Sequence, residues 1–391
     1  MVDYAYDDTD TVDFFVRRGG DEATTDPVEN DWIYYGEDHQ HQRICIRKPN
    51  GTNPTLQNGR WCLYVHGGAT VGVVGSEFAG SESLGYLEFP DTSMAEKITG
   101  DELDSFLISV EFAPGNYAKR GAEDTAHTQL AEPRLFPQQL LDVIRAIQFV
   151  KEHFDDPDLF GAGNSINPDL GWGYGGSQGS IYLLLADLMP EDWVRSHGQE
   201  SYEAGPSREN YPYEVSHRLN CITCGIPFLD FTQLNGDTEI SDVGHESLTL
   251  LEKTDFADKV PTNIKRASSV WWHLIDAGAD DAGGDLLDLN WFVWYTAASS
   301  TTAWAWNPGV VAQTSMDFHS TTQAQPLQDK LVELGQANDT GTGACWVASN
   351  QALDPANPPL TNGLLDSSAN WDQDAKVIEY VNLHVPPATA P

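Results

Sequence analysis

A chain of 391 residues is long for one domain and short for three, so we expect one core domain that carries insertions. Hydrophobic residues make up 40% and aromatic residues 10% of the chain, which is enough for a sizeable core and excludes global disorder. The net charge of −38 excludes nucleic acid and anionic membrane surfaces as expected partners, because both attract basic proteins.

The first part of the chain alternates between strand and helix patterns. Residues 1–40 are acidic and irregular, and we interpret them as an N-terminal arm. Short apolar runs then predict strands at 43–47, 61–65 and 106–112. A helical period begins behind Pro137, a residue type that suits the first turn of a helix. This alternation predicts a mostly parallel sheet with helices on both faces.

The remainder of the chain continues the alternation with one interruption. Further strands are predicted at 221–231, 310–316 and 344–348, and further helices at 181–188, 327–334 and 375–381. The segment 232–308 shows no clear strand pattern and holds six of the twelve tryptophans. It is longer than a normal connection, so we interpret it as an inserted, mainly helical cap. The predicted core therefore comprises 41–231 and 309–391.

Gly175-Gly176-Ser177-Gln178-Gly179 is the one G-x-S-x-G pattern in the chain. It lies between residues 170–174 and the apolar helical run at 181–188. A nucleophile on a sharp strand-to-helix turn needs unusual backbone angles and small neighbours, and the flanking glycines provide both. The N-terminus of the following helix favours developing negative charge. The pattern therefore predicts that Ser177 attacks a carbonyl carbon.

A second glycine motif, His66-Gly67-Gly68, follows the strand predicted at 61–65. Acyl transfer builds an oxyanion, which must meet fixed N–H donors, and a glycine turn lets the backbone approach the substrate. On its own, the motif is equally an ordinary glycine loop. Its position about 110 residues before a G-x-S-x-G pattern is typical of esterases and lipases.

The two motifs together resemble the α/β-hydrolase superfamily, in particular its carboxylesterase-like branch with an H-G-G oxyanion loop. Hormone-sensitive-lipase-like and feruloyl-esterase-like hydrolases belong to that branch. The likeness covers residues 42–231 and resumes at 308–336. Ala69 stands where many relatives have a third glycine, and Ser180 where many have glycine, but both residues are small.

The resemblance implies an α/β-hydrolase fold and a role for individual residues. By position, Ser177 is the nucleophile, and the backbone N–H groups of Gly67, Gly68 and Gln178 form the oxyanion hole. His66 begins the oxyanion loop and is structural in relatives.

The catalytic acid is expected behind the strand that follows the cap. Asp317 ends the strand predicted at 310–316, and a helix opens just beyond it, as in the acid-bearing loop of the family. Its role would be to fix the tautomer of the histidine and to stabilise the imidazolium. Asp230, at the end of the preceding strand, is the alternative acid, and Asp317 is then a surface residue.

The catalytic base is where the sequence departs from the family pattern. The family places its histidine shortly after the last strand, behind Ala348, but this chain has no histidine from residue 320 to 383. The order serine, aspartate, histidine leaves His384 as the predicted base. His319 is the alternative base, and another histidine or an incomplete triad also remains open.

No cofactor and no metal site is predicted. The eleven histidines are scattered, and the five cysteines are an odd number, which does not suit a disulfide framework. Cys221 and Cys224 have C-x-x-C spacing, but they lie in an apolar stretch and lack a second pair. We expect them to be structural free thiols.

The expected partner is a small-molecule ester, with neither nucleic acid nor membrane. The sequence has no apolar run of about 18 residues, so no membrane-spanning helix is expected. The N-terminus lacks a basic segment followed by an apolar stretch, which predicts a cytoplasmic protein, or a secreted one whose leader has been removed. The oligomeric state is left open.

Three functions remain in competition. The leading prediction is a serine hydrolase that cleaves a carboxylic ester through an acyl-enzyme on Ser177. The missing histidine instead favours a non-catalytic binding protein with the same fold. A prolyl-oligopeptidase-like serine peptidase is the third, although that family usually carries an N-terminal propeller that 40 residues cannot hold.

Overall fold

The fold is described here by a computed structural model of the chain. The described residues are 16–18, 31–35, 43–50, 56–67, 92–112, 138–195, 214–230, 239–240, 266–267, 269–280, 288–295, 315–316, 323–337, 344–349 and 372–387. No helix within these ranges is long and apolar enough to cross a lipid bilayer.

A nine-stranded sheet forms the centre of the molecule. Its strands are β1 (Val16–Arg18), β2 (Asp31–Tyr34), β3 (Arg43–Arg47), β4 (Gly59–Val65), β5 (Ser105–Glu111), β6 (Ile166–Gly176), β7 (Cys221–Gly225), β9 (Trp291–Tyr295) and β11 (Trp346–Ser349). Their spatial order is β1-β2-β3-β5-β4-β6-β7-β9-β11. A separate two-stranded sheet pairs β8 (Glu239–Ile240) with β10 (Ser315–Met316) in parallel.

The strand directions and order define the fold. The pairs β1–β2, β2–β3 and β3–β5 are antiparallel, and all pairs from β5–β4 across to β9–β11 are parallel. The chain has the α/β-hydrolase fold, and this prediction from the sequence is confirmed. Parallel strands are buried on both faces, which explains why β7 and β9 read as continuous apolar runs with every residue buried.

Helices cover both faces of the sheet. They are α1 (Thr92–Thr99), α2 (Gln138–Glu152), α3 (Pro157–Phe160), α4 (Gln178–Leu188), α5 (Val270–Asp280), α6 (Ala324–Glu333) and α7 (Gln373–His384). Residues of α2, α4, α5 and α6 share one buried cluster with one face of the sheet, and residues of α1 and α7 share a second cluster with the other face. The predicted helices behind Pro137 and at 181–188 and 375–381 lie within these elements, and the helix predicted at 327–334 extends one residue past α6.

Part of the segment predicted as a cap belongs to the central sheet. The strand β9 lies inside the segment 232–308, yet it pairs with β7 and β11 in the central sheet. Its side chains Trp291 and Trp294 are buried in the two clusters on opposite faces. The predicted helical cap therefore does not include these two tryptophans, because side chains of a strand point alternately to the two faces of the sheet. In the undescribed parts of the segment, the cap stays a prediction.

Two further predictions change in detail. Strands β1 and β2 fall within the predicted arm 1–40 and extend the sheet at its antiparallel edge. Of the strand predicted at 310–316, the described residues are those of β10, which pairs with β8 outside the central sheet. The other predicted elements occur in the predicted order, whereas helices α1 and α3 have no counterpart among them.

Candidate active site

Ser177 occupies a strained turn between β6 and α4. Its backbone has φ 51° and ψ −114°, a conformation that non-glycine residues rarely adopt and that costs about 1–3 kcal/mol. The Ser177 N–H donates to Gly225 O at 2.9 Å, and the Ser177 carbonyl accepts from Ile181 N at 3.3 Å. The strand-to-helix turn predicted from the sequence is therefore present, and it leaves Gly176 and Ser177 partly exposed between the buried residues Gly175 and Gln178.

The glycines of the motif allow α4 to pack directly on the sheet. A Cβ atom on Gly179 would lie 2.0 Å from Val65 O, and one on Gly175 would lie 2.9 Å from Leu183 Cδ1. Both distances are shorter than side chains tolerate. Glycine at these positions therefore brings the first turn of α4 against the end of β4, where the second glycine motif begins.

Gly67 lies beside Ser177. A Cβ atom on Gly67 would be 3.3 Å from Gly176 O and 3.5 Å from Ser177 Cβ, which places the start of the glycine loop against the serine. Gly68, the second predicted oxyanion donor of this loop, lies outside the described residues. The sequence thus brings together two motifs that are far apart in the chain.

His66 is held next to this loop by two contacts. Its Nδ1–H donates to Gly67 O at 2.7 Å, because a carbonyl oxygen can only accept. The imidazole also stacks on Phe112, with ring centroids 4.8 Å apart and an interplanar angle of 7°. Burial lowers the pKa of His66 below its ordinary value, so the ring is neutral near pH 7. These contacts suit the structural role that the resemblance implies.

Gln178 begins α4 with its side chain tied into the helix. Gln178 Nε2 donates to Tyr182 Oη at 2.9 Å, and the Tyr182 hydroxyl donates in turn to Gln139 Oε1 on α2. Burial raises the pKa of Tyr182, so the hydroxyl remains protonated. This chain of bonds fixes the first turn of α4, and the positive end of the helix dipole faces Ser177.

Two residues are predicted as the catalytic acid, and the described part of the chain contains one of them, Asp230. Asp317 lies outside the described residues. Asp230 is fully buried behind the end of β7, and Trp272 Nε1 on α5 donates to its Oδ1 at 3.1 Å. Asp230 follows the carboxyl end of β7, and Ser177 follows the carboxyl end of the neighbouring strand β6.

The structure does not bring His384 to Ser177. His384 ends α7 and packs on Tyr380 with ring centroids 4.4 Å apart. The same end of α7 is bonded to Arg60, which donates to Asn382 Oδ1 at 2.8 Å and to Pro386 O at 2.9 Å. Arg60 lies at the amino end of β4, whereas Ser177 follows the carboxyl end of the neighbouring strand β6.

The separation follows from the direction of α7. A strand rises about 3.3 Å per residue, so the length of β4 alone puts Arg60 and the end of α7 on the order of 15–20 Å from the edge that holds Ser177. The alternative base, His319, lies outside the described residues. Among the described residues, no group of three His, Cys, Asp or Glu side chains could hold a metal ion.

A second residue at this edge, Ile226, has a strained backbone that no sequence motif indicates. Ile226 follows β7 with φ 48°, which is rare for a β-branched side chain. Its N–H donates to Trp294 O at 2.7 Å. No signal in the sequence indicates this conformation, because isoleucine is among the residues least suited to it.

All five cysteines are buried free thiols. Burial raises the pKa of Cys221 and of Cys224, so both are protonated near neutral pH. The C-x-x-C spacing therefore belongs to a buried strand, as expected.

Comparison with known proteins finds likeness in structure alone. No family model matches the chain, and no curated protein matches it. Among solved structures, a thermophilic esterase from the planctomycete Thermogutta terrifontis is 12% identical, with a TM-score of 0.47 over 91% of this chain and 92% of that one. Its propionate-bound form has a TM-score of 0.47, also at 12% identity, over 92% of this chain and 96% of that one.

A second similar structure is a bifunctional GH43-CE protein from Bacteroides eggerthii. It is 12% identical, with a TM-score of 0.47, and the match covers 90% of this chain but 37% of that one. The α/β-hydrolase fold of the present chain follows from its own strand order.

Proposed function

We propose that this protein is a serine hydrolase that cleaves carboxylic esters through an acyl-enzyme on Ser177. The observation that carries the proposal is the backbone of Ser177, which is held at φ 51° between a buried strand and the first turn of a helix. Such strain is kept where it positions a reactive group. Gly67 beside it and the helix N-terminus behind it supply N–H groups for a developing oxyanion.

The reaction has two halves. The Oγ of Ser177 attacks the ester carbonyl carbon while its proton passes to a histidine. The N–H groups of Gly67, Gly68 and Gln178 donate hydrogen bonds to the oxyanion that forms. The carbon–oxygen bond to the alcohol then breaks, and the alcohol leaves with the proton from the imidazolium. Water attacks the acyl-enzyme in the same way, which releases the carboxylic acid and returns the proton to Ser177.

The base in this proposal is His319. His384 lies at the far end of the sheet, and residues 350–383, which directly follow β11 and where the family carries its histidine, contain none. The chain between β9 and α6 contains His319, and the N-terminus of α6 lies at the edge of the sheet that carries Ser177. The carboxylate that orients the base is either Asp317 or Asp230.

The missing histidine also supports a second candidate, a non-catalytic binding protein. A fluorophosphonate probe and short p-nitrophenyl esters separate the two functions. We expect the probe to label Ser177 and Ser177→Ala to lose on the order of 10⁶-fold in kcat without a change in melting temperature.

Ser180→Ala is the matched control, since Ser180 lies one turn further along α4 with its Oγ bonded to Gly225 O at 2.7 Å. This variant should still be labelled at Ser177. If the unaltered protein is neither labelled nor active, the binding function replaces the catalytic one.

A further inference from the structure

Residue type does not account for two of the left-handed backbone conformations in the described part of the chain. Among the described residues with positive φ, the glycines, Asn58 and Asp104 adopt this conformation at little cost. The other two are Ser177, with φ 51°, and Ile226, with φ 48°. Ser177 is the proposed nucleophile. Ile226 has a β-branched side chain, which is the type least suited to such a backbone, so its presence there calls for a reason.

Ile226 adjoins the proposed nucleophile. The Ser177 N–H donates to Gly225 O at 2.9 Å, and the same peptide group joins Gly225 to Ile226. With standard bond lengths, the Cα of Ile226 therefore lies within about 7 Å of Ser177 N. The strands β4, β6 and β7 are neighbours in that order, and they are followed by Gly67, Ser177 and Ile226. Gly67 and Ile226 thus flank Ser177 on opposite sides.

The side chain of Ile226 reaches the surface at this edge of the sheet. Ile226 is partly exposed, whereas every other residue from 221 to 230 is buried. It packs against the buried cluster that α4 shares with the sheet, so it lies on the same face of the sheet as α4. Gly67 is exposed and Ser177 is partly exposed. An apolar side chain is therefore accessible beside the proposed nucleophile.

Hydrogen bonds hold the backbone of Ile226 from both sides. The Gly225 carbonyl accepts from the Ser177 N–H, and it also accepts from Ser180 Oγ at 2.7 Å. The Ile226 N–H, on the other side of the same peptide group, donates to Trp294 O at 2.7 Å. A Cβ atom on Gly225 would lie 2.6 Å from Trp294 Nε1, so the indole covers this peptide directly. A side chain on such a backbone forms a fixed boundary.

The acyl-enzyme directs its acyl chain towards this boundary. Its carbonyl carbon is trigonal, so the carbonyl oxygen and the acyl chain point away from each other. In the proposed reaction the Gly67 N–H attracts the oxygen towards the end of β4. The acyl chain then extends towards the end of β7, where Ile226 is the partly exposed side chain.

We infer that Ile226 bounds the acyl site and sets the length of the acyl chain that the protein accepts. The inference rests on the proposed function, because it needs Ser177 as the acylated residue. Ile226 contacts the acyl chain and takes no part in the proton transfers. Glycine would adopt the same backbone without strain but would leave this space open, so the strained isoleucine closes it.

The test measures kcat/KM of Ile226→Ala for p-nitrophenyl acetate and p-nitrophenyl octanoate in the full chain. Both esters release the same alcohol, so the ratio of the two values reports the acyl chain alone. A difference of one methylene in an apolar site changes kcat/KM by about 10-fold or more. Because Ile226→Ala removes a larger group than that, the ratio of octanoate to acetate should rise at least about 10-fold.

Leu219→Ala is the matched control. Leu219 lies just before β7, at the opposite edge of the sheet, and is a partly buried side chain that packs against the same cluster. The substitution removes the same number of carbon atoms and should leave the ratio unchanged. A ratio that rises equally in Leu219→Ala would trace the effect to a loosened core and overturn the inference.

The alcohol side of the ester is tested separately. Comparing 1-naphthyl acetate with p-nitrophenyl acetate varies the alcohol and keeps the acyl group. Ile226→Ala should leave this second ratio unchanged. A change in the alcohol ratio without a change in the acyl ratio would place Ile226 against the leaving group and overturn the inference.

Two further variants decide the matter if Ile226→Ala does not fold. Ile226→Gly adopts the positive φ without strain and should raise the ratio of octanoate to acetate, whereas Ile226→Phe fills more space and should lower it. A ratio that is the same in both variants, or that moves in the opposite directions, overturns the inference while fluorophosphonate still labels Ser177. Failure of the proposed function is distinct, because the unaltered protein would then not be labelled at all.

Discussion

Replacing Gly179 by alanine tests the idea that the strand-to-helix turn at Ser177 depends on the close approach of α4 to β4. The added Cβ would lie 2.0 Å from Val65 O, 2.6 Å from Val65 C and 2.7 Å from His66 O. These are backbone atoms of the sheet, so no side chain can turn away. The helix or the strand would have to move by more than an ångström before the contact reached the ordinary 3.4 Å.

The sign of the effect follows from two opposing terms. Alanine in place of glycine within a helix stabilises by about 1 kcal/mol where there is room. Overpacking a dense interior costs about 1–3 kcal/mol and sometimes more, and contact with fixed backbone lies at the upper end. We therefore expect Gly179→Ala to lower the free energy of unfolding by about 2 kcal/mol.

Gly176→Ala provides the matched control for this measurement. No atom lies within 4 Å of a Cβ at Gly176, and its φ is not in the left-handed region. Its free energy of unfolding should stay within about 0.5 kcal/mol of the unaltered protein. Urea unfolding followed by fluorescence of the buried tryptophans measures both variants. Equal midpoints for Gly179→Ala and Gly176→Ala would refute the packing argument.

Two further predictions concern titratable side chains. His384→Ala should leave kcat within a few-fold, because His384 packs at the far end of the sheet, whereas His319→Ala should lower kcat by several orders of magnitude. Loss in the His384 variant alone would return the base to the C-terminal helix. Burial raises the pKa of Glu191, but hydrogen bonds from His217 and Ser216 and the charge of Arg218 outweigh it and hold the pKa at about 2, below the ordinary 4.5. A depressed pKa stabilises the fold above pH 4.5, and this contribution is lost as the pH falls towards 2. The melting temperature of Glu191→Gln should therefore lie below that of the unaltered protein above pH 4.5, and the difference should vanish near pH 2. A difference that stays constant with pH would contradict this linkage.

The strand-to-helix turn at Ser177 and the glycine motif that begins at His66 could be predicted from sequence because their requirements are local. A serine with positive φ needs small neighbours, and glycines lie within two positions on either side of Ser177. Likewise, Gly67 directly follows a buried strand. Each motif carries its own turn, and parallel pairing of β4 with β6 then brings the two together.

The position of the base could not be predicted because it depends on the direction of a helix. Beyond the loop of Asp317 and His319, the order of residues leaves His384 as the one later histidine. However, α7 runs from Asp374, which is bonded to Lys97 on α1, to an end bonded to Arg60. A helix of 12 residues is about 18 Å long, enough to carry a side chain from one edge of a sheet to the other. Sequence separation contains no information about which end faces the nucleophile.

The strand β9 was missed for a different reason. Its five residues Trp291–Tyr295 are all aromatic or β-branched, which is the composition of a strand. The number of tryptophans in the surrounding segment favoured a cap, and a run of five residues is too short for its period to decide. In the structure these residues form a strand because they pair with β7 and β11, and the local sequence does not indicate this pairing.

Strain at the edge of the sheet favours catalysis over simple binding. Ser177 and Ile226 both have positive φ, they follow adjacent strands, and the Ser177 N–H donates to the residue before Ile226. Each costs about 1–3 kcal/mol, so the surrounding bonds must hold both against relaxation. Ser180 Oγ on Gly225 O, at 2.7 Å, adds a further restraint at the same carbonyl. A binding surface gains little from a strained serine, whereas a nucleophile gains a fixed Oγ before the substrate arrives, which is the condition for rapid attack.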